Sequence, residues 1–177
     1  MSVISFLQEV NKLKNIKRTG WVIKKVENPE SVADHTFRVA LMAYLLCPEN
    51  LDKNKMIKMA LINELTEART GDIVTKHTDS EDFKNNKLEK EKQVIREMVK
   101  DINNEEIVEL FDESEELQTE EAKFLKQLDK LEMAFQALEY EKINNNQEEF
   151  DEFWDTTRNT LHNAKLIEIF EELEKQR

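Results

Sequence analysis

The chain has 177 residues, 39% hydrophobic content, two glycines, two prolines and a net charge of −12. That suits one domain with one core, favours helix over hairpin-rich sheet, and argues against sequence-independent nucleic-acid binding. A lone Cys47 excludes an internal disulfide, and without a signal pattern or a membrane-length apolar run the expectation is a soluble, cytoplasmic protein with no membrane partner.

Ile4, Leu7, Val10 and Leu13 recur at helical spacing, so a first helix is predicted from Ser2 to Lys14. A basic connector, Lys14–Trp21, follows. Pro29 and Ser31 mark the start of a second helix, which Pro48 stops after Cys47. Asp52 or Asn54 caps a third helix, carried through Met56, Met59, Ile62 and Leu65 to Gly71. Lys76–Asn86 is polar and aperiodic and reads as a surface loop. Amphipathic helices are predicted over 88–100 and 105–111, with Asp112–Thr119 an acidic linker. Leu125, Leu128, Leu131, Phe135 and Leu138 make a stripe on a long helix from Glu120 to Lys142, broken at Asn144–Gln147. A last helix over 148–175 carries Phe150, Phe153 and Trp154, a stripe that packs either the core or a partner. The whole reads as an all-α bundle of six or seven helices spanning 1–177.

Few residues stand out chemically. His35 lies beside Arg38, Val39 and Met42 on a helix face, so it reads either as a core residue or as a ligand. Asp34 beside it would support a ligand or simply face solvent. Asn63 and Glu67 share a face of the third helix, with Glu64 between apolar neighbours. A buried carboxylate there needs a partner or a cation; an exposed one needs neither. Asp129 interrupts an apolar stripe, near Lys130 and Glu132. Gly71 suits a helix C-cap, while Gly20 fits that role less well. Arg18 and Trp21 suit a phosphate and a sugar or base in a pocket, or a solvated loop with one core Trp. His77 and His162 carry little signal.

In order, R-T-G-W (Arg18–Trp21), P-E-S-V-A-D-H (Pro29–His35), A-L-I-N-E-L-T-E-A-R-T-G-D-I (Ala60–Ile73) and L-D-K-L-E (Leu128–Glu132) resemble the HD-domain phosphohydrolases, closest to their 5′-deoxynucleotidase branch. The resemblance covers most of residues 1–140 and implies a helical bundle that hydrolyses nucleoside 5′-monophosphates. It places metal ligands at His35, Asn63, Glu64 and Asp129, catalytic acids at Glu67 and Asp72, nucleotide contacts at Arg18 and Trp21, and a homodimer. The family's central His-Asp pair is Asn63-Glu64 here. Asp to Glu adds about 1.5 Å of reach, and His to Asn exchanges an imidazole nitrogen for an amide oxygen. The oxygen-rich set favours Mn or Mg over Zn or Co. The alternative expectation is an inactive relative that keeps the pocket and binds a nucleotide or partner.

Overall fold

The computed structural model describes residues 2–75, 78–144 and 147–177. His77 and part of the predicted Asn144–Gln147 break lie outside the described residues. Within them the regular elements are helical: α1 Val3–Val10, a 3-10 turn Asn11–Lys14, α2 Thr19–Ile23, α3 Val32–Leu46, α4 Lys53–Ile62, α5 Glu67–Thr70, α6 Glu81–Val99, α7 Glu105–Glu115, α8 Glu120–Asn144, a 3-10 turn Glu148–Phe150, α9 Asp151–Thr160 and α10 Ala164–Glu174. The all-α expectation holds. No helix among the described residues is long and apolar enough to cross a membrane.

Local chemistry sets these boundaries. Ser31 caps α3, its hydroxyl accepting from the Asp34 N–H while Asp34 Oδ2 accepts from the Ser31 N–H at 2.8 Å. Asp34 is therefore occupied as a cap and does not support His35. Asp52 caps α4 by accepting from the Lys55 N–H at 3.0 Å. The predicted third helix does not continue to Gly71. It stops at Ile62, and the chain turns through bonds from Leu65 N to Ile62 O and from Glu67 N to Glu64 O. These three-residue closures rotate Asn63 and Glu67 off a common helix face. Gly71, at φ 72°, then caps α5.

The predicted loop over 76–86 is corrected from residue 81 onward, which is helix, while Lys76 and His77 lie outside the described residues. Ser80 accepts from the Phe83 N–H and starts α6 at Glu81, before any apolar stripe begins. The acidic linker also shortens, since α7 extends to Glu115. The predicted last helix is two helices. Gln127 Oε1 accepts the N–H groups of both His162 and Asn163 at 2.9 Å, which holds the break open; His162 lies in that break.

α8 runs through the core with Leu128, Leu131 and Ala134 fully buried. Trimming Leu128 to Ala would cost about 2–5 kcal/mol. α3, α4 and α8 each supply side chains to both apolar clusters, so the helices that carry the candidate residues are gripped from two sides. The isolated bridge Lys17–Ser31, with Val32 N donating to Ile16 O at 2.9 Å, ties the basic connector to the start of α3. That tie brings Arg18 and Trp21 beside His35's helix.

Candidate active site

His35 lies one turn into α3, is 1% exposed, and has a carboxylate at each ring nitrogen. Nε2 is 3.0 Å from Asp129 Oδ1 and 3.9 Å from Glu64 Oε1; Nδ1 is 2.5 Å from Glu132 Oε2. Asp129 and Glu132 are three residues apart on α8, so both face α3. One donor atom each from His35, Glu64 and Asp129 lies within 4.8 Å of the others. One imidazole and two carboxylates in that space suit a divalent cation.

The electrostatics agree. Burial and Arg18 oppose a charge on His35, but Glu132 and Asp129 outweigh them and lift the imidazole to about 9. Burial alone would raise Asp129; Lys130, 2.9 Å away, and His35 hold it well below the usual carboxylate range. Glu64 is likewise drawn down, against burial, by Arg18 and His35. This cluster of anions is built around positive charge.

Asn63 turns elsewhere. Its Oδ1 accepts from the Ser114 hydroxyl at 2.8 Å, and its Nδ2 donates to Glu64 Oε1 at 3.2 Å. Glu67 is 4% exposed, and its Oε2 is buried without a hydrogen-bond partner among the described residues. Burial first, then Glu64 and Asp72, push Glu67 far above the usual range, so it carries a proton. Asp72 ties two segments together: Oδ2 accepts the Thr19 N–H, its carbonyl accepts the Thr19 hydroxyl at 2.7 Å, and Oδ1 lies 3.7 Å from Arg18 Nη1.

Arg18, Trp21, Asn63, Glu64, Glu67, Asp72 and Asp129 line one cavity of about 530 Å³; His35 is outside that lining and contacts two of its members, Asp129 and Glu64. Trp21 is 2% exposed and packs on Phe153 at 4.2 Å and edge-on to Tyr140 at 5.2 Å. It is both a core residue and cavity wall. Gly20 is explained by Phe153, since a Cβ there would meet that ring at 3.3 Å.

A model of the HD domain family, described as "HD domain", matches residues 10–173. The chain belongs to the HD domain family. Its relatives include the Mus musculus protein named 5′-deoxynucleotidase HDDC2, 36% identical over 99% of this chain and 88% of the relative. The Dictyostelium discoideum protein of that name is 38% identical over 98% and 97%. The crystal structure of the PH0347 protein from Pyrococcus horikoshii OT3 superposes with a TM-score of 0.81 at 32% identity, over 99% of this chain and all of that one.

The HD domain match runs past residue 140 into α10, further than the sequence motifs reach. The cavity accounts for part of that, because α9 supplies Glu152, Phe153 and Thr156 to its wall. Sequence reasoning missed several other residues of this HD domain. Lys84 and Lys87 on α6 line the cavity but fell in or beside the supposed loop region. Taken singly, Lys130 and Glu132 carry no sequence signal beyond charge on a helix, yet Glu132 is 0% exposed. Glu132, four residues after Leu128 and three before Phe135, shares the apolar face, and that spacing is the available signal.

Proposed function

We propose that this HD domain hydrolyses the phosphate monoester of (deoxy)nucleoside 5′-monophosphates, with a divalent cation held by His35, Glu64 and Asp129. The observation that carries the reading is the convergence of Glu64, Asp129, Glu67, Asp72 and Arg18 on one cavity, with His35 Nε2 against the first two. Relatives bearing the name 5′-deoxynucleotidase support the substrate class. When bound, such a cation polarises the phosphate and lowers the pKa of water. Two carboxylates and one imidazole favour Mn or Mg. In this reading Asn63 braces Glu64 and is not a donor to the cation; its oxygen is hydrogen-bonded to Ser114 on α7.

The chain's own residues do the rest. Arg18 holds the phosphate, and Asp72 holds Arg18. Trp21 and Phe153 form the apolar wall against which the nucleoside lies. Water attacks phosphorus, the P–O5′ bond breaks, and Glu67 passes its proton to the leaving oxygen; of the attacking water's two protons, one stays on the released phosphate and the other restores Glu67. A second copy of the chain packs on the exposed α3 face of Phe37, Leu41, Tyr44 and Leu45. Sedimentation of a Phe37→Glu, Leu45→Glu variant as a monomer beside a dimeric parent tests that part.

Phosphate release from deoxynucleoside monophosphates with Mn, Mg and Co, beside the double variant Asn63→His, Glu64→Asp, tests the reaction. Release by the unaltered chain with Mn or Mg is expected. Nucleotide binding without release would mark a non-catalytic binder. Neither binding nor release with any ion would remove the reading.

A further inference from the structure

On the side of His35 away from the cation donors, a line of polar contacts runs between α2 and α8. The Trp21 indole N–H donates to Glu30 Oε1 at 2.8 Å. Glu30 Oε2 lies 3.8 Å from Arg38 Nη2. Arg38 donates from Nε to Glu132 Oε1 at 2.8 Å, and its Nη2 lies 2.6 Å from that oxygen and donates to Gln136 Oε1 at 2.6 Å. Glu132 Oε2 closes on His35 Nδ1. The line thus joins a wall of the cavity to one of the cation donors.

Its composition is costly for a core. Two buried carboxylates, Glu30 and Glu132, need compensation that apolar residues would not. Arg38 lies against both, 3.8 Å from Glu30 and 2.6 Å from Glu132, and the His35 imidazolium adds charge beside Glu132. Each carboxylate then commits its other oxygen to a residue of the site: Glu30 to Trp21, a wall of the cavity, and Glu132 to His35, a cation donor. Tyr140 adds a constraint by accepting the Glu30 backbone N–H at 2.7 Å, which fixes that residue from α8. An imidazole whose Nδ1 is held this way keeps Nε2 turned toward Glu64 and Asp129.

We propose that Glu30, Arg38 and Glu132 are positioning residues, with Glu132 aiming His35 at the cation, Glu30 holding Trp21 in the nucleotide wall, and Arg38 serving both. This rests on the reading of the cavity given above, in which His35 meets the cation and Trp21 the nucleoside.

The test separates the two ends. Calorimetric titration of the full chain with Mn²⁺ reads the His35 end. KM for a deoxynucleoside monophosphate at saturating Mn²⁺ reads the Trp21 end. Glu132→Gln is expected to weaken Mn²⁺ binding about 10–100-fold while KM moves by less than about threefold. Glu30→Gln is expected to do the reverse, raising KM severalfold and leaving Mn²⁺ affinity nearly unchanged. Arg38→Gln is expected to weaken both. A folded Glu132→Gln with parental Mn²⁺ affinity overturns the proposal, as does equal loss at both ends in all three variants.

Should Glu132→Gln fail to fold, Arg38→Lys replaces it, because that side chain is partly exposed and keeps its charge. Lysine cannot reproduce the paired donation. The indole N–H resonance of Trp21, one of two tryptophans, is then read in the cation-free protein. A shifted resonance in Arg38→Lys supports the relay; an unmoved one overturns it. A parent chain that neither binds Mn²⁺ nor turns over nucleotide defeats the functional reading instead, and the indole measurement still decides the relay.

Discussion

Ser114, in the last turn of α7, donates its hydroxyl to the amide oxygen of Asn63 at 2.8 Å. That bond turns Asn63 toward α7 and leaves its nitrogen to brace Glu64. A residue at the centre of the motif thereby becomes a support for its neighbour. Asn63→Ala should weaken Mn²⁺ binding by less than about tenfold, the lower end of what a supporting residue costs. Glu64→Gln, which removes a donor's charge, should abolish it. Calorimetry on the folded variants checks this; loss in Asn63→Ala as complete as in Glu64→Gln would make Asn63 a ligand.

Glu67 should show a trade between activity and stability. Its proton is taken up on folding at neutral pH, because its folded pKa is raised above the unfolded value of about 4.3. Its contribution therefore falls as pH rises above that value. Glu67→Gln removes the dependence and should raise the thermal midpoint at pH 7. The same variant has no proton to give, so kcat should fall about 10²–10⁴-fold while Mn²⁺ affinity is kept. Calorimetric melting beside steady-state kinetics reads both, and a less stable or fully active variant would refute the assignment.

The acid–base state of His35 gives a pH signature. Glu132 and Asp129 hold its pKa near 9 against burial and Arg18, so the cation-free protein gains stability from the imidazolium that is full below about 6.5 and lost as pH rises through about 9. A cation on Nε2 must displace that proton. Mn²⁺ affinity should rise between pH 6 and 9, with about one proton released at pH 7. Titration in buffers of different ionisation enthalpy measures the release; none at pH 7 would place the cation away from His35.

Much of this was legible because the motifs keep their order. His35, Glu64, Glu67, Asp72, Asp129 and Arg18 were all selected from sequence, and all reach one site. The remainder was hidden for physical reasons. A helix face that lines a polar cavity has the same pattern as one that faces water, so nothing in the sequence separates Lys84, Lys87 and Lys130 from solvated lysines. The first turns of α6 carry no apolar stripe, so they read as a loop. The end of α4 at Ile62 is set by tertiary contacts, since Asn63 through Thr66 have no residue that forbids helix. Glu30, Arg38 and Glu132 meet across about a hundred residues of chain, beyond any local periodicity.

The central claim is that three donors, without Asn63, hold the cation. Anomalous diffraction from crystals of the unaltered chain grown with Mn²⁺ addresses it directly. The account predicts one strong peak ligated by His35 Nε2, Glu64 and Asp129, with Asn63 still bonded to Ser114. A peak ligated by the Asn63 oxygen, or none beside His35, would contradict it.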